Sequence, residues 1–279
     1  MSERTQGELL FEEYLRSVGI TEFEFEADIP DCAQKPDYKL LHEGSILLLD
    51  VKDFVPEAED FGLCGPYDPC VHIRNKIEEG RRKFRNLKDY PCALVLYNCD
   101  KPLVDLSPEY IYSSMFGDLG ISFPVDTKTG IGDIERAQSV FGQGGKMFRY
   151  DKENKHAVAP QNTTISAVIV LNHLPVGQKI CSAALDKWQQ EIGRRMTMEE
   201  AFKAIETWTE TKTDPWRIQL HAIVCENPFA RKSWPRTLFN GEWDERYGAV
   251  DNVVRRLNAG QALRDWERLS EREPDFPDV

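Results

Sequence analysis

The chain has 279 residues, of which 47 are acidic and 35 basic, for a net charge of −12 at pH 7. That sign excludes a protein whose affinity for nucleic acid comes from its overall charge, so any polyanion must be met by a local patch. With 41% hydrophobic residues it can bury a sizeable core, and no run approaches the roughly 18 apolar residues of a membrane span.

Elements can be read in chain order. Residues 7–19 form an amphipathic helix whose stripe is Phe11, Tyr14, Leu15 and Val18 and which Gly19 closes. Phe23-Glu-Phe25-Glu-Ala27 alternates as a half-exposed strand. Pro36-Asp37 then opens a hairpin: Tyr38-Lys-Leu-Leu41 and Ile46-Leu-Leu-Leu-Asp-Val51 are strand-like, and Glu43-Gly44 is the two-residue turn between them. With that turn, paired positions sum to 87, so Asp37 lies opposite Asp50. Side chains alternate along a strand, so Lys52 projects from the same face as Asp50.

Two carboxylates and an ammonium group are thereby gathered at one point of a sheet. Like charges on cross-strand partners destabilise, by roughly 4 kcal/mol at about 4 Å and an effective dielectric of about 20. A divalent cation between the carboxylates turns that cost into binding. Mg²⁺ (or Mn²⁺) suits the pair, because it takes oxygen ligands, uses one or two carboxylates and keeps waters and a substrate phosphate as the rest. Lys52 has no lone pair to offer a metal; its roles are to orient or help activate a water and to stabilise charge growing on phosphate oxygens. The plain alternative is a turn aspartate after proline and a lysine snorkelling from a buried strand.

Residues 73–87 form a second helix, with Ile73, Ile77, Phe84 and Leu87 toward the sheet. The same stretch carries Arg74, Lys76, Arg81, Arg82, Lys83 and Arg85, followed by Lys88, which predicts a basic flank beside the hairpin suited to a nucleic-acid strand, or else an ordinary solvated face. A buried strand follows at 92–97. The order helix, three strands, helix, strand over residues 7–98, with Pro36-Asp37 and Asp50-x-Lys52, resembles the PD-(D/E)xK, restriction-endonuclease-like superfamily. The resemblance implies that Asp37 and Asp50 bind metal, that Lys52 assists the attacking water, and that a glutamate of the first helix joins them. Glu8 fits that last role best, with Glu12 one turn further on as the alternative. Glu8 also reads as an acid favoured by the helix dipole.

Residues 99–163 are rich in Gly, Pro and Asp and read as a loop-dominated insertion near the cleft. Phe141-Gly-Gln-Gly-Gly-Lys146 within it lacks the P-loop pattern. Buried strands are expected at 164–171 and 216–224. Between them lie helices near 182–192 and from the capping box Thr197-x2-Glu200 to about residue 208. Trp234 in Arg231-Lys-Ser-Trp-Pro-Arg236 suits either base stacking or core packing, and Arg246, Arg255 and Arg256 extend the candidate basic surface. Two closing helices are expected at about 245–258 and 260–271, with frayed last residues. Cys64-x5-Cys70-x-His72 is spaced more loosely than zinc sites and reads as thiols in a loop.

The expected protein is α/β: a restriction-endonuclease-like mixed central sheet flanked by helices. Residues 1–228 form the core and 229–279 a C-terminal helical extension packed on it. The expected function is Mg²⁺-dependent hydrolysis of phosphodiester bonds in nucleic acid, most of all DNA. Seven scattered cysteines and a start, Met-Ser-Glu-Arg-Thr, without a secretory apolar stretch predict a cytoplasmic protein with free thiols and no membrane partner. A protein partner or a homodimer is left open. The alternatives are a catalytically silent binding or assembly subunit of the same fold, and a hydrolase of small phosphoesters.

Overall fold

A computed structural model describes residues 4–30, 35–56, 68–117, 119–122, 138–141, 145–151, 156–175, 197–200, 202–203, 217–250 and 253–261. The chain runs α1 (Gln6–Ser17), β1 (Phe23–Phe25), β2 (Tyr38–His42), β3 (Ser45–Phe54), α2 (Val71–Phe84), β4 (Cys92–Asn98) and α3 (Pro108–Phe116). It continues through β5 (Leu119–Ser122), β6 (Gln138–Phe141), β7 (Phe148–Asp151), β8 (His156–Pro160), β9 (Ile165–Pro175), β10 (Ile218–Glu226), β11 (Glu245–Val250) and β12 (Val253–Ala259). An eight-stranded sheet in the order β1-β2-β3-β4-β9-β10-β11-β12 organises the fold, and β5-β6 and β7-β8 are separate two-stranded ribbons.

The hairpin β2-β3 has the expected register, with Tyr38 opposite Leu49 and His42 opposite Ser45. Glu43 (φ +48°) and Gly44 (φ +77°) both take left-handed backbone, the turn whose twist matches that of the flanking strands. β1 pairs antiparallel with β2, and β3 runs parallel to β4. A parallel neighbour needs a crossover, and α2 supplies it.

Alternation then sorts side chains between two cores. Leu47, Leu49 and Val51 of β3 face α1, joining Phe11, Tyr14 and Leu15. Leu48 and Phe54 face the other way, against Ile73, Ile77 and Phe84 of α2. Asp50 and Lys52, at even positions like Leu48, therefore belong to the α2 face. Gly80 lets that helix come close, since a methyl group there would stand 3.0 Å from Leu94, the β4 neighbour of Asp50. β4 is buried on both faces, as a central parallel strand should be.

Two sequence expectations are corrected. Residues 99–163 are more than a loop-rich insertion: α3 buries Ile111, Tyr112, Met115 and Phe116 in the α2-side core. The Tyr112 hydroxyl reaches the carbonyls of Glu226 (3.1 Å) and Tyr247 (2.8 Å), tying α3 to the far strands. Its signal was present in Ser107-Pro108-Glu109, an N-cap, a first-turn proline and a first-turn acid. The expected helix at 245–258 is instead the antiparallel pair β11-β12, and β11 lies parallel to β10, with Ile223 beside Glu245. The charged residues there suggest a helix, but the open edge of β10 must find partners for its backbone groups, and the β-branched Val250, Val253 and Val254 suit that. Of the second closing helix, only residues 260 and 261 lie among those described. The expected helix at 182–192 lies outside them. The Thr197 capping box is formed, Thr197 N–H donating to Glu200 (2.8 Å) and Glu200 N–H to Thr197 (3.2 Å).

One buried carboxylate holds the approach to β11. Asp244 accepts hydrogen bonds from the Tyr14 hydroxyl (2.5 Å), the Ala222 N–H (2.8 Å) and the Gly241 N–H (2.5 Å), joining α1, β10 and the turn before β11. Asp244→Ala orphans three donors at once, and an expected loss of about 3–5 kcal/mol follows. Urea denaturation of the variant beside the wild type measures it.

Candidate active site

Asp37 sits just before β2, and its side chain is pinned by the hairpin it opens: the Val51 N–H donates to Asp37 Oδ2 at 2.7 Å. Asp50 lies across from it on β3, with no exposed surface. Lys52, two residues on, brings its Nζ to 2.8 Å from Asp50 Oδ2. That approach satisfies ion pairing but not hydrogen-bond direction, because Oδ2 is buried and receives no hydrogen bond. The two aspartates and Lys52 thus meet as the alternation of β3 and the turn at Glu43-Gly44 require.

Lys83 completes the cluster. Its Nζ lies 2.5 Å from Asp37 Oδ1 and also contacts Asp50 Oδ1, so one ammonium bridges both carboxylates. Of the basic helix residues it is the one that contacts the two aspartates, whereas the sequence placed it with the cations flanking a nucleic-acid strand. The available signal was Gly80: it presses α2 onto the sheet, and Lys83, one residue before the buried Phe84, lies on the flank of that face. Glu26, Lys35, Glu79 and Arg82 join Asp37, Asp50, Lys52 and Lys83 around a cleft of about 670 Å³. None of Glu26, Lys35 and Glu79 was singled out from sequence.

The electrostatics follow from burial and neighbours. Asp50 is pushed up to about 6, first by burial and then by the charge of Asp37 and its hydrogen bond, against the pull of Lys83 and Lys52. Asp37 is lowered: burial raises it, but the hydrogen bond with Asp50, the Lys83 ammonium and the Val51 amide outweigh that. Lys83 is raised, because although burial lowers it, the two carboxylates hold its proton. The pair is thus split, with Asp37 the stronger acid.

Glu8 is not brought into this cleft. It belongs to α1 on the opposite face of the sheet, and its carboxylate accepts the Thr5 N–H at 2.7 Å while the Thr5 hydroxyl accepts the Glu8 N–H at 3.3 Å, a capping box. Burial raises its carboxyl, the Thr5 amide lowers it, and Asp37 acts on it through space. Glu12 is held by Arg4 (2.6 Å), Arg16 (2.7 Å) and the Tyr38 hydroxyl (3.2 Å).

The basic flank is partly neutralised by its own helix and the turn before it. Arg74 pairs with Asp68 (2.5 Å), Lys76 with Glu79 (3.4 Å), and Arg81 grips both carboxylate oxygens of Glu78. Arg82, 70% exposed, reaches the cleft rim, and Arg85 is exposed at the end of α2. Of two further candidate positions, Trp234 takes its core-packing alternative and Arg246 is corrected. Trp234 is 3% exposed and packs 5.9 Å from Phe239, so it is core. Arg246 is buried against Glu226 (2.9 Å) and the Leu238 carbonyl (2.8 Å).

Among the described residues no set of three or more His, Cys, Asp and Glu side chains converges as metal ligands, and no helix is long and apolar enough to cross a membrane. Two carboxylates closing on one cation still make an all-oxygen donor pair, and the buried Asp50 Oδ2 accepts no hydrogen bond. That fits an Mg²⁺ held by two protein ligands with water completing its shell.

No protein-family model and no curated protein matches the chain. A solved structure to which it is similar is that of Pyrococcus furiosus SfsA in complex with Ca²⁺, at 14% identity and a TM-score of 0.18. The likeness covers 35% of this chain and 40% of that one, so the chain spans less than half the length of that protein. A likeness of this size carries neither fold nor activity.

Proposed function

We propose that this chain is a metal-dependent nuclease that hydrolyses phosphodiester bonds in DNA, built on a PD-(D/E)xK-like core. The observation that carries the reading is the convergence of Asp37 and Asp50 on a single cation, with Lys52 beside them on the same face of β3. The antiparallel β1-β2-β3 followed by the α2 crossover to parallel β4 supports it as the frame such a site requires.

In this reading Asp37 and Asp50 hold Mg²⁺ or Mn²⁺. The ion supplies a more acidic bound water and polarises a phosphate oxygen. Lys52 directs its ammonium into the cleft, where it holds the attacking water and meets the negative charge that grows on the phosphate. Asp50, buried and shifted upward, is the carboxylate most sensitive to losing its counter-charge. Lys35 and Arg82 at the rim are suited to flanking phosphates. Glu8 supports the first turn of α1 and contributes at a distance.

The cleft also answers the net charge of −12. Lys35, Lys52, Arg82 and Lys83 balance Glu26, Asp37, Asp50 and Glu79, so the site itself is near neutral. A bound divalent ion makes it positive, so DNA affinity should require metal. A second reading, hydrolysis of small phosphoesters, is favoured by the cleft's 670 Å³, which lies in the range of small-ligand sites.

The test is incubation of the chain with linear duplex, circular and single-stranded DNA in Mg²⁺, Mn²⁺ or EDTA. Cutting with metal and none with EDTA is expected, and cut circles make the enzyme an endonuclease. A small phosphoester turned over in preference to every DNA selects the second reading. No turnover of any substrate leaves a binding or assembly subunit.

A further inference from the structure

We infer that Lys83 is an internal cation seated where the divalent metal binds, so that metal entry and withdrawal of Lys83 are one coupled step. This rests on the proposed metal site and adds a switch to it. One ammonium contacts an oxygen of each aspartate, and those oxygens are the donors a bridging ion needs. An ammonium and a divalent ion cannot share that point, since two cations within bonding distance of the same oxygens repel. Lys83 also has somewhere to go. It ends a flexible stem on α2, at the wall of an open cleft whose rim carries Glu79 one turn earlier on the same helix. In the metal-free protein Lys83 neutralises the pair and keeps the hairpin closed on α2. With metal bound, it is released into the cleft, where substrate phosphates approach.

The consequence is a tax on metal affinity. Where the open arrangement is populated at about one part in ten or less, the apparent dissociation constant is raised about tenfold or more over that of the open site. Lys83→Met removes the tax, whereas Arg82→Met removes a cation from the same cleft without touching the aspartates.

Calorimetric titration of Mn²⁺ into the wild type, Lys83→Met, Arg82→Met and Asp50→Asn decides the matter. Binding at least about tenfold tighter in Lys83→Met, a much smaller change in Arg82→Met and loss in Asp50→Asn are expected. Equal affinity in the wild type and Lys83→Met overturns the coupling while leaving the metal site standing. Equal tightening in Arg82→Met also overturns it, because general electrostatics then suffices. No binding in either the wild type or Lys83→Met overturns the metal site and the coupling together.

A measurement on the unaltered protein stands beside this in case Lys83→Met does not fold. Reductive methylation of the wild type, read by peptide mass spectrometry, should label Lys83 slowly in EDTA and several-fold faster in saturating Mg²⁺. Labelling that is unchanged or slowed by Mg²⁺ overturns the coupling.

Discussion

Lys52→Ala is expected to lower metal-dependent DNA cleavage by about a hundred- to a thousand-fold, the scale of losing one preorganised group at a developing charge. The fold should survive. Lys52 is 22% exposed at its side chain and belongs to neither hydrophobic core, and Asp50 keeps Lys83 as a partner after the truncation. Because an ammonium aimed at the phosphate acts on charge that builds during reaction, the loss should fall on the cleavage step. DNA affinity should change little, and Mn²⁺ affinity should hold or improve. Single-turnover cleavage with enzyme in excess, alongside a DNA-binding titration, separates the two. Cleavage within a few-fold of wild type would remove Lys52 from the chemistry and with it the main reason to read the site as hydrolytic.

Asp50→Asn is expected to do the opposite to stability: it should strengthen the metal-free protein at neutral pH while abolishing metal binding. The unfolded carboxyl titrates near its ordinary 3.8 and the folded one near 6. Below about pH 3 both states are protonated and the site costs nothing. As pH rises from about 4 to 6 the unfolded chain loses its proton first, so wild-type stability falls across that window and levels off above it. The shift from 3.8 to about 6 corresponds to about 3 kcal/mol. Burial sets it first and Asp37 before β2 adds to it, against Lys83 on α2 and Lys52 on β3, which also face Asp50. Asparagine keeps the shape without the charge, so its advantage should approach that figure at pH 8 and vanish near pH 3. Denaturant titrations of both proteins in EDTA at the two pH values check it. Mg²⁺ should then restore the wild type and leave Asp50→Asn unchanged. A wild type more stable than Asp50→Asn in EDTA at pH 8 would show that the lysines outweigh the burial of the charge.

Stability and proposed function therefore pull against each other at one residue. A carboxylate buried beside another is tolerated because Lys83 and Lys52 neutralise it, and in the proposed function it becomes useful when a metal takes over that task. This is also why Glu8 is a poor third ligand as it stands. Its carboxylate already satisfies an orphan amide at the start of α1, and moving it would expose that helix end.

Local rules in the sequence were sufficient for the hairpin and for which of its charged side chains share a face. Glu43-Gly44 accepts left-handed backbone, that turn fixes the register, and strand alternation then carries Asp50 and Lys52 to one face. The stripe of α1, the buried strand β4 and the long strands β9 and β10 were legible for the same reason, since each is set by periodicity within a few residues.

What lay beyond it were outcomes decided by a partner distant in the chain. Residues 245–250 and 253–259 became strands because β10, some twenty residues earlier, offered an open edge whose backbone groups needed partners. Arg246 was read as part of a basic surface, yet it is buried against the carboxylate of Glu226. Lys83 was read as one cation of six on a basic flank for nucleic acid, or else on a solvated face. Only the packing of Gly80 against Leu94 brings it down onto the two aspartates. Charge type and spacing are local properties of a sequence, but which charges meet is a property of the sheet they are packed on.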